Sequence, residues 1–187
     1  MKKRTPTTLE YALLGLVHAE PRSGYDLCKV FETTPMGHYS SSPGAIYPAL
    51  KRLETAELVA GNVEKAGSLR PRKRFTVTPH GEEMLREWVS QSVSRDDLVW
   101  GGDELMLRFG FMGQLVSAGT VRGFLADLAI AAEQYVTELE GHHERLSKLE
   151  LPAGVAPTGR MALGQGIGGY RALAKWARQS LSELDQT

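Results

Sequence analysis

The sequence predicts a mainly α-helical chain with one small β-hairpin, on three observations. Apolar residues recur at helical spacing in three segments up to Glu57. The period drops to two only between Leu58 and Thr78. A heptad seam then occupies much of the second half. Composition agrees with a globular chain: of 187 residues, 42% are hydrophobic and 24% charged, which excludes a wholly disordered or fibrous protein. The single Cys28 excludes an intramolecular disulfide and any zinc site built from cysteines, so a cytoplasmic setting is expected. No apolar run approaches the roughly 18 residues that span a bilayer, and no membrane partner is expected.

The elements follow in order. Thr8 can cap a helix from Leu9 to Ala19, with Glu10 in its first turn and Leu9, Leu13, Leu16 and Val17 on one face. Glu20-Pro21-Arg22 breaks the chain. Ser23 opens a second helix through Tyr25, Leu27, Cys28 and Phe31, which ends near Thr34-Pro35. Ser42-Pro43 is an N-cap followed by proline at the first helical position, and the third helix runs to about Glu57. Its buried stripe is Ile46, Leu50 and Leu53; Pro48, inside it, removes the hydrogen bond to the Gly44 carbonyl. Leu58 to Lys65 and Arg72 to Thr78 then read as two strands of a hairpin. Thr78-Pro79 caps a further helix carrying Met84, Leu85, Trp88 and Val89. Three helices, two strands and a helix make a winged helix-turn-helix, expected over residues 1–95.

The net charge of zero hides an asymmetry. Residues 1–80 hold 12 Lys and Arg against 7 Asp and Glu, and residues 81–187 hold 10 against 15. A basic first half suits a polyanion. With the third helix's apolar stripe turned inward, its outward face offers Ser41 and Ser42, then Gly44, Ala45, Tyr47, Lys51 and Arg52. A helix fits the major groove of a duplex, where its first residues reach base edges and its flanks reach phosphate. Small residues at its start permit close approach. The hairpin adds Arg70, Arg72, Lys73 and Arg74, a basic wing suited to phosphate or the minor groove. These eleven residues are the candidate DNA-binding set, and double-stranded DNA is the expected partner.

Four segments resemble the PadR family of bacterial transcriptional regulators. They are Leu13-Leu14-Gly15-Leu16, Ser23-Gly24-Tyr25-Asp26-Leu27, Gly44 to Glu54, and Arg70 to Phe75 continuing to Thr78-Pro79-His80-Gly81. The resemblance covers about the first 90 residues and accounts for Pro48. It implies a winged-helix DNA-binding domain, a helical dimerisation region, and a homodimeric repressor of a palindromic operator that a small effector releases. Many relatives have glycine where Ala56-Glu57 precedes Leu58-Val59, so the turn after the third helix is the point of departure.

In the second half, Val121, Leu125, Leu128, Ala132, Tyr135, Leu139, His142, Leu146 and Leu149 alternate gaps of 4 and 3. A helix over about 120–150 would be roughly 45 Å long, against a radius of gyration of about 16 Å for a compact chain of this size. Leu163, Ile167, Tyr170, Ala174, Ala177, Leu181 and Leu184 repeat the pattern after a break at Leu151 to Gly159. Residues 96–187 are therefore expected to form an antiparallel helical dimerisation domain, with Leu125, Leu128, Tyr135, Leu139, Leu146, Tyr170 and Leu181 as candidate dimer contacts. A two-helix hairpin closed within one chain is the alternative. Trp88, Trp100 and Trp176 are candidate aromatics for an effector site near the domain junction, or else core anchors.

Other motifs carry less. Gly164-Gln165-Gly166-Ile167-Gly168-Gly169 matches G-x-G-x-x-G but lacks the strand a dinucleotide site needs, and close helix approach or a flexible helix start is the better reading. His142-His143-Glu144 does not share one helix face, so no metal site is expected. No nucleophile elbow or catalytic residue ordering appears, and neither enzyme activity nor a cofactor is expected. The expected function is a homodimeric, sequence-specific DNA-binding repressor. A protein-interaction scaffold using the winged helix and the heptads is the alternative.

Overall fold

A computed structural model describes residues 4–40, 42–64, 72–152 and 154–186. The chain divides into two compact units, Met1–Val89 and Ser90–Thr187. In the first unit, α1 spans Thr8–Ala19. Its cap is Thr7, one residue before the expected Thr8, because Thr7 and Glu10 stand three apart and satisfy each other. The Glu10 amide donates to the Thr7 hydroxyl at 3.3 Å and the Thr7 amide donates to the Glu10 carboxylate at 2.8 Å. Ser23 and Asp26 repeat that box at the start of α2, Gly24–Thr33. A 3-10 turn, Pro35–His38, leads toward α3, Pro43–Thr55, where the Ser42 hydroxyl accepts from the Gly44 amide at 3.2 Å.

α3 stops two residues short of the expected Glu57. Glu57 itself has φ of 58°, the left-handed conformation that terminates the helix and that a glycine would take without steric cost. The chain then enters β2, Val59–Glu64, and β3, Arg72–Val77. The hairpin is present, and β3 is also the centre of a three-stranded antiparallel sheet. The third member is β1, Arg22–Ser23, which pairs Arg22 with Phe75 and Ser23 with Arg74. Two residues are too short for a period, so the sequence showed only a helix cap there. α4, Pro79–Val89, closes the unit. Gly81 makes that turn possible, since a Cβ there would lie 2.0 Å from the Leu58 carbonyl oxygen.

The core of this unit is Leu13, Leu14, Leu27, Phe31, Ile46, Leu50, Leu53 and Leu85, with Tyr11 stacked on Trp88 at 4.3 Å. Among the described residues of this unit, one charged group is buried with them. Glu10 accepts from both the Thr7 amide and the Arg4 guanidinium, the latter at 3.0 Å to each oxygen, and from Arg52 Nε at 2.5 Å. This clasp fastens α1 to α3.

The second unit begins with α5, Arg95–Trp100, and α6, Gly102–Met112, ahead of the heptad stretch. The signal for α5 was present as Ser94-x-x-Asp97, which forms a third capping box. α7, Ala118–Ser147, and α8, Thr158–Leu184, pack along each other. Leu125, Leu128, Ala132 and Ala177 are fully enclosed within the unit, and Tyr135 meets Tyr170 edge-on at 4.9 Å. Arg178 pairs with Glu133 at 2.8 Å and Arg171 with Glu140. Residues 164–169 lie inside α8, and a Cβ at Gly164, Gly166, Gly168 or Gly169 would meet open space. Within the chain those glycines therefore mark neither a close helix contact nor the helix start, contrary to both expectations. No helix among the described residues is long and apolar enough to cross a membrane.

Burial pushes the Glu10 carboxyl pKa up, but its hydrogen bonds to Arg52, the Thr7 amide and Arg4 outweigh that and hold it below its ordinary 4.5. A carboxylate depressed on folding adds stability above its ordinary value and loses it as pH falls through the lower folded one. Urea melts of wild type and Glu10→Gln should differ by a constant amount well above pH 4.5 and converge in acid. A gap that persists unchanged into acid would show that the charge of Glu10 is not what fastens the helices.

Candidate nucleic-acid interface

α3 has two faces of different chemistry. Ile46, Ala49, Leu50 and Leu53 are buried, while Ser42, Gly44, Tyr47 and Lys51 are exposed and Ala45 is half-buried. Ser42 caps the helix from outside the apolar face, and Pro43 at the first position leaves no amide wanting a partner. Gly44, the second helical residue, adds no side chain to the helix start. Tyr47, half exposed, lays its ring across the start of α2: a Cβ on Gly24 would lie 2.5 Å from Tyr47 Cε1. The absence of a side chain at Gly24 is what seats that ring.

Between the start of α2, α3 and β3 runs an open groove of about 710 Å³. Leu50 and Phe75 form its floor, Tyr25 and Tyr47 one wall, and Lys51, Glu54, Arg72 and Lys73 its rim. Tyr25 is 65% exposed and was not among the candidates. Its signal was legible, since it falls outside the face set by Leu27, Cys28 and Phe31. The groove thus combines aromatic surface with cations that outnumber the one carboxylate.

The cations on this unit are not equivalent. Arg52, expected to reach outward, is instead turned to the buried Glu10, because an unpaired carboxylate there would cost more than an exposed guanidinium gains. Lys73 Nζ lies 2.7 Å from Glu54 Oε2. Arg74 is half-buried and donates to the Pro21 carbonyl at 3.1 Å. Arg72 and Lys51 are exposed. The Ser23 hydrogen bonds, with help from the nearby Arg72 and Arg74, hold the Asp26 carboxyl below the usual aspartate range against its burial. Ser41 and Arg70 lie outside the described residues.

The three tryptophans are dispersed in role. Trp88 is buried in the first unit against Tyr11, a core anchor rather than a cleft wall. In the second unit, Trp176 meets Phe109 edge-on at 5.2 Å. Trp100 is 84% exposed and borders a shallow cleft of about 270 Å³ with Asp97, Glu104, Leu105 and Arg108. Arg108 is buried over the Phe124 ring and donates to the Gln91 carbonyl. Among the described residues no group of three or more His, Cys, Asp or Glu side chains could hold a metal ion.

Residues 13–87 match the transcriptional regulator PadR-like family. The chain is similar to the negative transcriptional regulator PadR of Bacillus subtilis (strain 168), with 28% identity over 138 residues that make up 74% of each chain. Among solved structures, Bacillus subtilis PadR in complex with operator DNA matches 95% of this chain and 99% of its own, at 22% identity and a TM-score of 0.42. Bacillus subtilis PadR in complex with p-coumaric acid matches 98% of each chain, at 23% identity and a TM-score of 0.40.

Gly24→Ala tests the seat of Tyr47. Alanine favours a helix over glycine by about 0.5–1 kcal/mol, and the clashing atom is the far end of a half-exposed side chain. The melting temperature should hold or rise, while the Tyr47 ring is displaced and duplex binding falls several-fold. Unchanged binding would remove Tyr47 from the contact surface.

Proposed function

We infer from the match of residues 13–87 that the chain is a transcriptional regulator of the PadR-like family. On that premise we propose that it is a homodimeric, cytoplasmic repressor of a palindromic operator, released by a small aromatic effector. The observation that carries the DNA-binding surface is the division of α3. Its apolar residues are consumed by the core, and its small, uncharged start stands exposed beside the basic groove. In this reading Ser41, Ser42, Gly44, Ala45 and Tyr47 face base edges. Lys51, Arg70, Arg72 and Arg74 supply the positive flank, Lys73 stands beside them in its pair with Glu54, and Arg52 acts through Glu10 to hold the helix at its angle.

Dimerisation is the reading of the second unit's exposed apolar residues. Leu146, Leu149, Leu151, Val155 and Met161 are all more than a third exposed around the α7–α8 turn, and apolar surface of this kind supports an interface between copies. Leu139 and Leu181 are half-buried. Two copies related by a two-fold axis would set their third helices about 34 Å apart, one turn of duplex, and so read an inverted repeat. The repressing sense follows the Bacillus subtilis relative's description as a negative regulator. The effector reading rests on Trp100, a large aromatic left in solvent beside the cleft at Arg108.

Footprinting on the DNA beside the chain's own gene, with sedimentation of the free protein, tests the whole. A protected inverted repeat and a dimer at micromolar concentration are expected. Arg72→Ala should weaken binding to every sequence and flatten the plot of log K against log salt by about one unit. Tyr47→Ala should instead lower the operator-to-random ratio by about 10- to 100-fold. If both variants bind operator and random duplex as the wild type does, the assigned surface is wrong.

A further inference from the structure

Lys73 is held more closely than an exposed lysine needs to be. Its ammonium lies 2.7 Å from Glu54 Oε2, which ties the wing to the last turn of α3. It also stands 5.3 Å from the centroid of the Phe75 ring, on the same strand. Its stem crosses Gly61 on β2: a Cβ there would lie 2.0 Å from Lys73 Cε and 2.6 Å from Glu54 Oε1. Gly61 pairs with Phe75 and Val63 with Lys73, so Gly61 is the diagonal neighbour of Lys73 across the ladder. The missing side chain at 61 is the channel in which lysine and glutamate meet. Glu54 is also the one carboxylate on the rim of the groove that Lys51, Arg72 and Lys73 otherwise make positive.

We propose that Glu54 withholds Lys73 from the DNA backbone and thereby limits the chain's affinity for duplex of any sequence. This inference rests on the DNA-binding reading of the groove. A phosphate arriving at the rim meets a neutralised pair in place of a cation, and the carboxylate repels it. Sequence-independent binding depends on how many phosphates are neutralised, since each releases condensed counterions. One cation fewer in that set lowers random binding directly. Contacts from the start of α3 to base edges do not draw on Lys73 and are left intact. Glu54 is in this sense a specificity-determining residue that touches no base.

Fluorescence anisotropy of the full chain on a random-sequence duplex, across a salt series, tests the inference. Glu54→Gln keeps the shape of the side chain and removes its charge. It should tighten binding about five- to tenfold near 0.1 M salt and steepen the log–log slope by about 0.9, the increment for one added phosphate contact. Lys73→Ala should leave the wild-type slope unchanged, and the double variant Glu54→Gln/Lys73→Ala should return to it. A slope that Glu54→Gln does not move, or one that Lys73→Ala alone flattens, overturns the inference while leaving the DNA-binding reading in place. A wild type without salt-sensitive binding overturns both.

Discussion

The first unit depends on a buried carboxylate. Glu10 is 1% exposed, and a lone ionised group there would be excluded by the cost of leaving water. It is tolerated because its oxygens accept from the Thr7 amide, Arg4 and Arg52 together. The same group that completes the cap of α1 therefore pins α3 through Arg52, in its last turn. An apolar contact would fix the spacing of the two helices and leave their rotation soft. A guanidinium–carboxylate pair has a direction, and it sets which residues of α3 face away from the core. That is the step by which a core interaction decides what the surface offers to a duplex.

Much of this was legible because the signals are local. Ser42-Pro43 forms the cap it promised, and Ile46, Leu50 and Leu53 are buried as their spacing required. The hairpin lies where alternation indicated. Two of the failures share one cause, which is partners distant in sequence. β1 exists only because β3 supplies its hydrogen bonds, and the exposed Arg52 is engaged by Glu10, 42 positions away. Glu57 shows the reverse. Its residue type hides a left-handed turn that glycine would have announced, between the end of α3 at Thr55 and the start of β2 at Val59.

The heptad seam shows a different limit. A repeat of 4 and 3 states that an apolar stripe will be covered, without stating by which chain. α8 carries a matching stripe, and Leu125 and Leu128 are enclosed within the same unit. Coverage weakens along α7. Val136 is buried, Tyr135 and Leu139 are half-buried, and Leu146 and Leu149 are exposed. The seam is one pattern in sequence but two environments in space, a filled core at one end and uncovered apolar surface at the other. Spacing alone cannot divide them, because the division is set by where α8 begins and by the chain between Lys148 and Pro157.

Charge requires the same care. Residues 1–80 exceed neutrality by five, from 12 cations and 7 anions, and that count takes every cation as available to a polyanion. Arg4 and Arg52 converge on Glu10, Arg22 pairs with Glu20, and Lys73 with Glu54. Ion pairs conserve net charge, so the long-range field that draws a duplex toward this unit is unchanged by them. What they change is contact. A cation already satisfied by a carboxylate adds to attraction at a distance and little at the surface, where each phosphate must find its own donor. Attraction and grip are thus set by different residues. The first follows from composition, and the second only from knowing which carboxylates the fold places beside which cations.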